Sequence, residues 1–291
     1  MTENYHLILE NLISQNKRSN MKKISFQGEH GAYSETSARR FFKNDIEAVP
    51  CRTFHDALDE TESGNSDYAV LPVEKSIEGS VGQSFDAILS ANLHAVGEIY
   101  LEIHHCLISN GKIDEIDTVY SHPQALGQCS DFIQKNSLKT VPTYDTAGSV
   151  KIIKDVHEKN IAAIASKNAA EIYSMPIIQE EIENDPNNVT RFLIFSKQQT
   201  KPTLNDKTSI IFSINHEPGT LYEIIKEFSS NDINLTKIES RPKKGTTWEY
   251  NFYLDFVGHV SDTKISTMLD SLKKNTKFLK IIGSYPLSEL N

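Results

Sequence analysis

The sequence predicts a two-part α/β protein, and three observations carry that expectation. From Lys22 onward, short apolar runs of strand length alternate with stretches of helical period, the order of an open, largely parallel sheet flanked by helices. A polar stretch containing Pro202, Lys197–Asp206 (KQQTKPTLND), then interrupts the hydrophobic pattern. Beyond it the order becomes strand–helix–strand–strand–helix–strand within about 80 residues, the ferredoxin-like split plan.

Each element has a local reason. Ile24–Phe26 reads as a strand, followed by a turn bounded by Gly28 and Gly31 and a helix from about Ser34 through Phe42. Glu47–Cys51 is a short strand, after which Thr53 caps a helix carrying Phe54, Ala57 and Leu58. Tyr68–Leu71 is a strand; a Ser- and Gly-rich turn leads to a helix with Phe85, Ile88 and Leu89 at i, i+3 and i+4. Ala95–Ile108 alternates as one long strand or a pair. Val119–Ser121, Thr140–Pro142 and Ala162–Ala165 are further strands, with helices at about 123–135, 147–158 and 167–173. Ser34, Ser80, Thr146 and Ser166 each stand where a helix is expected to begin. Such hydroxyls cap helices, and helix N-termini gathered at the carboxyl ends of strands make an anion site. After the break come strand Thr208–Ile214, helix Gly219–Phe228, strand Leu235–Ser240, a Lys243-Lys244-Gly245 turn, strand Glu249–Val257, a helix near 262–275 and strand Leu279–Tyr285.

Composition narrows the function. The 291 residues carry 30 Lys and Arg against 39 Asp and Glu, net −9. Residues 1–206 hold 19 basic and 29 acidic side chains, and 207–291 hold 11 and 10, so the acidic excess lies in the first part. An acidic chain without a basic run lacks the footprint of a nucleic-acid binder. It has no polybasic membrane patch, and no apolar run approaches the ~20 residues of a membrane span. Cys51, Cys106 and Cys129 are widely spaced, which speaks against disulfides or zinc and for a reducing compartment. The first 21 residues read as an extension bearing a short amphipathic helix (Tyr5, Ile8, Leu9, Leu12) without signal-peptide order, so the expected location is cytoplasmic. His104 and His105, adjacent on an expected strand, point to opposite faces and cannot chelate one metal together. No metal and no cofactor is expected.

The chemistry sits in polar words at strand-to-helix junctions: GEHGAYSE (Gly28–Glu35), LPVEKSIEGSV (Leu71–Val81), SHPQALGQC (Ser121–Cys129), DTAGSV (Asp145–Val150) and NNVTRF (Asn187–Phe192). In this order and spacing, from about Lys22 to the C-terminus, the chain resembles the prephenate dehydratase family and its arogenate dehydratase relatives. HEPGTL (His216–Leu221) and ESRP (Glu239–Pro242) add resemblance to an ACT-type regulatory domain.

The resemblance implies a two-lobed catalytic region like a type II periplasmic binding protein over 22–199. Lobe one would be about 22–99 with 187–199, and lobe two about 100–186. A linker at 200–206 and an ACT domain at 207–287 would follow. The implied reaction is loss of water and carbon dioxide from prephenate to give phenylpyruvate, with arogenate as the alternative substrate. A non-catalytic small-molecule sensor of the same fold is the rival from another class. Thr190, Ser121 and Gln128 match catalytic positions. Lys75 stands in PVEKS where the family commonly has Asn, and is a further catalytic candidate: it either supplies a cation for a dianionic substrate or turns outward and leaves a weaker enzyme. Arg191, Phe192, Thr146, Ala147, Gly148 and Ser34 are the substrate-binding candidates: a guanidinium fork, a ring-packing wall, the N-terminus of a helix, and a cap. Cys129 and His122, inside SHPQALGQC, read as packing and hydrogen-bonding residues. For phenylalanine as feedback effector, the resemblance implies Asn215, Pro218, Gly219, Thr220, Leu221, Glu239, Ser240, Arg241 and Pro242, in a homodimer or homotetramer.

Overall fold

The computed structural model describes residues 21–43, 45–243, 245 and 249–288, and the expected N-terminal helix lies outside them. In chain order the elements begin β1 (Lys22–Gln27), α1 (Tyr33–Phe41), β2 (Ile46–Cys51), α2 (Phe54–Ser63), β3 (Tyr68–Lys75), β4 (Gly79–Ser80), α3 (Gly82–Ser90), β5 (His94–Glu102) and β6 (Cys106–Ile108). They continue with β7 (Thr118–Ser121), α4 (Pro123–Gln128), α5 (Ser130–Lys135), β8 (Lys139–Pro142), α6 (Thr146–Val156), β9 (Ile161–Ala165), α7 (Lys167–Tyr173), β10 (Ile177–Gln179) and β11 (Val189–Ser196). The last are β12 (Asp206–Ser213), α8 (Thr220–Ser230), β13 (Leu235–Pro242), β14 (Tyr250–Val257), α9 (Thr263–Lys274) and β15 (Phe278–Pro286). The chain divides into two compact units: residues up to Val81 with Leu101–Phe192, and Gly82–Tyr100 with Leu193 onward.

The first unit contains two sheets. In one, β1 lies between β2 and β3 and is parallel to both, with Phe26 beside Pro50 and Val70. β11 begins beside β3. The other runs β10-β6-β9-β7-β8, its inner strand β9 (IAAIA) buried at every residue, as a strand covered on both faces must be. The GEHGAYSE turn ties the two together. Gly31 (φ +92) takes a left-handed conformation, and a Cβ there would stand 2.6 Å from the Ala169 Cα, so only glycine allows this approach. Its carbonyl accepts a 2.8 Å bond from the Ser166 hydroxyl. Phe26 and Ala32 share a core with Ala147, Val150, Ala163 and Ala169.

Several local expectations are corrected. Thr53 does cap α2, in a capping box with Asp56, and Ser166 caps α7 through the Ala169 N–H. The other three hydroxyls do not cap: Ala32 is the N-cap residue of α1 with Ser34 buried inside the helix, Ser80 lies in β4, and Asp145 caps α6 ahead of Thr146. An acidic side chain accepts from the same free N–H groups, and the first hydroxyl near a helix start is not always the residue that turns the chain. The helix expected at 123–135 is two, separated where Cys129 leaves helical geometry (φ −113, ψ 21). His104 and His105 lie in the connector between β5 and β6, not on a strand.

In the second unit β13-β14-β12-β15 form an antiparallel sheet, and with α8 and α9 this is the expected βαββαβ plan. Ile210, Phe212, Phe228, Leu254, Phe256 and Leu272 are at the centre of its core. α3 belongs to this unit. The Phe85 ring packs at a tilt against Tyr253, 4.3 Å between ring centroids, and Lys280 Nζ donates to the carbonyls of Ile88, Leu89 and Ala91 where α3 ends. Lys207 of β12 and Glu98 of β5 form a buried ion pair with contacts of 2.8 and 3.0 Å. Among the described residues no helix is long and apolar enough to cross a membrane.

Candidate active site

The edge between β3 and β11 sets the face on which the chemistry is built. Ser76 N–H donates to the Val189 carbonyl, and the Ser76 hydroxyl takes the Val189 N–H and donates to the Asn187 carbonyl. Arg191 Nη1 meets Glu74 Oε2 at 3.5 Å. With Ser76 beside Val189 and Glu74 beside Arg191, Lys75 falls beside Thr190. Strand alternation then puts Lys75 and Thr190 on one face and Glu74 and Arg191 on the other. Thr190 and Phe192 are both buried, as is Arg191.

Asn188 joins the Thr190 face. Its carbonyl accepts from Ile103 N–H while Val189 bonds Ser76 on the opposite edge, so extended geometry reaches back to Asn188 and its side chain lies two residues from Thr190. Asn188 is only 1% exposed, and neither its Oδ1 nor its Nδ2 has a hydrogen-bond partner. Nearly all buried amides are paired. The word NNVTRF stands out in the sequence, yet nothing in it assigns Asn188 a role; its place at i−2 from Thr190 in a strand is the signal that could have found it.

Lys75 ends β3, and the β3–β4 hairpin carries Glu78 at its tip, 4.0 Å from Lys75 Nζ. Burial lowers the Lys75 amine from its ordinary pKa, and Glu78 partly opposes that shift. Glu78 also reaches α4, which packs on the second sheet: Gln128 Nε2 donates to its Oε1 at 3.0 Å, and Gln124 donates to Oε2. His105 Nε2 lies 2.9 Å from Gln128 Oε1, with Tyr33 behind it. Lys75, Glu78 and Gln128 are thus brought into one cluster. His122, the cap residue of α4, sits close enough for burial and then the Lys75 charge to lower its pKa, which keeps it neutral near pH 7.

Other candidates are engaged elsewhere. The Ser121 hydroxyl, fully buried, donates 2.6 Å to the Ile164 carbonyl and so links β7 to β9. Cys129 is fully buried and its thiol is pushed up by burial, the setting of a packing residue. At α6, Gly148 N–H already donates to Asp145 Oδ1 at 2.7 Å, so the helix N-terminus formed by Thr146, Ala147 and Gly148 holds an internal carboxylate. Burial raises the Asp145 pKa, against the backbone N–H groups of Gly148, Glu29 and Ala147, which lower it. Among the described residues no group of three or more His, Cys, Asp and Glu is disposed to hold a metal ion.

The second unit brings its two words to one end of its sheet. Phe252 of β14 pairs with Phe212 of β12 on one side and with Ser240 of β13 on the other. The turn after β12 therefore lies at the same end as Arg241 and Pro242, two strands apart, about 10 Å. Asn215, Pro218 and Gly219 flank that turn, and Gly219 (φ +86) starts α8 in a left-handed conformation where a Cβ would meet nothing within 4 Å. Thr220 and Leu221 open the helix. β13, with Glu239, is an edge strand of the sheet.

With this geometry in place, comparison with known proteins is specific. A family described as Prephenate dehydratase matches residues 24–200. A bifunctional chorismate mutase/prephenate dehydratase of Aquifex aeolicus is 38% identical over 91% of this chain and 73% of its own length. Arogenate dehydratase/prephenate dehydratase 2, chloroplastic, of Arabidopsis thaliana is 40% identical over the same shares, 91% and 73%. A crystal structure of prephenate dehydratase in complex with L-Phe, from Arthrobacter aurescens, superposes with a TM-score of 0.82 at 28% identity, covering 91% of this chain and 90% of that one.

Proposed function

Because this chain belongs to the prephenate dehydratase family, we propose that it is a lyase converting prephenate to phenylpyruvate, under feedback control by phenylalanine. The observation that carries the chemistry is the shared face of Lys75, Thr190 and Asn188, with Gln128 brought to it by the Glu78 hairpin. In the reaction the bond from the ring to its carboxylate breaks, releasing carbon dioxide. Its electron pair enters the ring system, and the ring C–O bond breaks with hydroxide leaving. Aromatisation supplies the driving force, so the protein must orient the dianion and provide a proton or strong hydrogen bond to the departing oxygen. Lys75 is the cation on that face. Thr190 and the Gln128 amide are its hydroxyl and N–H donors. Arg191, paired with Glu74 on the reverse face, holds β3 against β11 and supports the substrate site from behind. Ser121 and Ser34 are read as structural supports of that site, and Phe192 as its packing wall.

The ACT reading of 207–287, in a cytoplasmic homodimer or homotetramer, rests on the two words at one sheet end. Within the second unit, Gly82, the first residue of α3, leaves room for the Arg241 guanidinium. Arogenate, which carries an ammonium in place of the keto group, is the second substrate to be tested because the Arabidopsis relative's name includes both activities.

The deciding experiment incubates the protein separately with prephenate and arogenate, follows phenylpyruvate and phenylalanine, and repeats each with added phenylalanine. Prephenate turnover slowed by phenylalanine is the expected result. No product from either substrate removes the enzymatic reading, and indifference to saturating phenylalanine in both rate and oligomer distribution removes the regulatory one.

A further inference from the structure

We propose that Glu183 is the positioning residue of the link between the two sheets of the first unit, and that the charge on His104 sets how firmly it holds the two halves of the substrate site together. This rests on the reading of Lys75, Thr190 and Gln128 as the groups that meet substrate.

Within this unit the chain passes to the second sheet through 103–105, ahead of β6, and returns through 180–188, between β10 and β11. Two backbone bonds join these crossings: Ile103 N–H donates to the Asn188 carbonyl at 2.7 Å, and Ile182 N–H to the His105 carbonyl at 3.1 Å. Between them lies the Glu183 carboxylate, its side chain only 2% exposed. Its Oε2 takes the His105 N–H at 2.8 Å and its Oε1 the His104 Nδ1–H at 2.7 Å. The Tyr33 hydroxyl of α1 donates to the His104 carbonyl at 2.6 Å. One carboxylate thus fixes the outgoing crossing through the ring of one residue and the backbone of the next.

The returning crossing reaches both halves of the site. Asn184 N–H donates to the Gln128 carbonyl at 2.7 Å, and the Asn184 side chain takes the Asp131 N–H and donates to the Ser130 hydroxyl. Those bonds pin the junction of α4 and α5. Farther along the same segment, Thr190 stands in β11 beside Lys75. Glu183 therefore acts on the separation between Gln128 and the Lys75–Thr190 face.

A carboxylate this deeply buried needs an opposing charge. His104 supplies it: its hydrogen bond to Glu183 raises its pKa above the ordinary 6.5, burial opposes the shift, and the Glu183, Glu102 and Glu181 charges add to it. His104 Nε2 stands 3.7 Å from Glu102 Oε2. Burial lowers the pKa of the adjacent His105, so that ring is neutral near pH 7 and does not compete for the carboxylate. Because the folded value for His104 is raised, the ion pair is complete at low pH and is lost as pH rises through that value. Glu183 is then left with two neutral N–H donors, and the link loosens.

In NMR titrations of the full-length protein, the His104 ring should titrate above 6.5 in the wild type and at lower pH in Glu183→Gln. The His105 amide proton should follow that titration in the wild type only. The ratio of wild-type to His104→Gln kcat/KM should be about two- to fivefold near pH 6, in keeping with a half-exposed ion pair, and about one near pH 9. His104→Lys stays charged and should hold the low-pH rate across this range. A ratio flat in pH overturns the proposal, as does a His104 titration unmoved by Glu183→Gln even where that variant melts lower. Absence of product from either substrate in the wild type removes the enzymatic reading, whereas the spectra read the link without turnover, so the two failures are distinct.

Discussion

Replacing Asn188 with leucine separates stability from activity with opposite signs. The two side chains have nearly the same shape, so no cavity opens and little is overpacked. Asn188 buries an amide whose oxygen and nitrogen are both unpartnered. An orphaned buried polar group costs about 1–3 kcal/mol, which the leucine recovers while adding apolar contact. For a unit of this size, each kcal/mol moves Tm by about 2–4 °C, so with about 1–3 kcal/mol recovered Asn188→Leu should melt roughly 2–12 °C higher. The same substitution removes a donor and an acceptor from the Thr190 face. A hydrogen bond to a charged partner contributes about 1.5–3 kcal/mol, so kcat/KM should fall by about one to two orders of magnitude. Calorimetry and initial-rate measurement of phenylpyruvate formation on the same preparation suffice. A lower Tm with activity retained would mean that the amide serves the fold, and would refute the reasoning.

Other perturbations test the site's electrostatics and the second unit. Lys75→Met should raise KM at least tenfold, and unchanged turnover and KM would remove Lys75 from the site. Glu78 holds the Lys75 pKa up against burial, so in Glu78→Gln the amine loses its proton at lower pH and the alkaline limb of kcat/KM should shift downward; an unmoved limb counts against Lys75 as the substrate's cation. Asp145 binds its proton more tightly folded than unfolded, so its ionisation costs stability as pH rises from about 3.8 through the raised folded value. Asp145→Asn keeps the cap acceptor and cannot ionise; it should melt above wild type at pH 7, with the gap closing toward pH 4, and a pH-independent gap refutes this. Lys280→Met strips the charged donor from three carbonyls at the end of α3 and should cost about 1.5–3 kcal/mol, read as a lower Tm that Lys280→Ala reproduces.

The strands were legible where a run such as β9 is apolar without interruption, and the βαββαβ order needs only periodicity. Cap identity was less so. Ser34, Ser80 and Thr146 are chemically suited to capping, and the choice of Ala32 and Asp145 in their place depends on where the turn leaves the sheet, a tertiary matter. The motif words supplied the candidate residues but not their wiring. Glu78, His105 and Tyr33 are separated by up to 72 residues from their partners, and no local spacing announces a hydrogen-bond chain that closes across two sheets. Asn188 stood in view beside Thr190, yet a polar residue in a strand usually faces water or a partner, and only its burial without either marks it.

The acidic excess of residues 1–206 takes on structural meaning at the donors that a dianion would use. Each already faces a carboxylate of the chain: Gly148 N–H holds Asp145, Gln124 and Gln128 hold Glu78, and Arg191 holds Glu74. Two like charges 4 Å apart repel by about 4 kcal/mol at an effective dielectric of 20, too much to accept repeatedly within the free energy of ordinary substrate binding. A substrate carboxylate and an ionised internal one therefore cannot share the same donor. Asp145 has an escape, since burial favours its neutral form. Glu78 has another, because it sits at the tip of a two-residue-paired hairpin and can give up Gln124 or Gln128. Glu74 has neither, being fixed on a strand against Arg191. The place where an anion meets a cation without first displacing a strand-held carboxylate is Lys75, beside Thr190 and Asn188. On the proposed reading, local charge on that one face, rather than the sign of the whole chain, would select where a dianion binds.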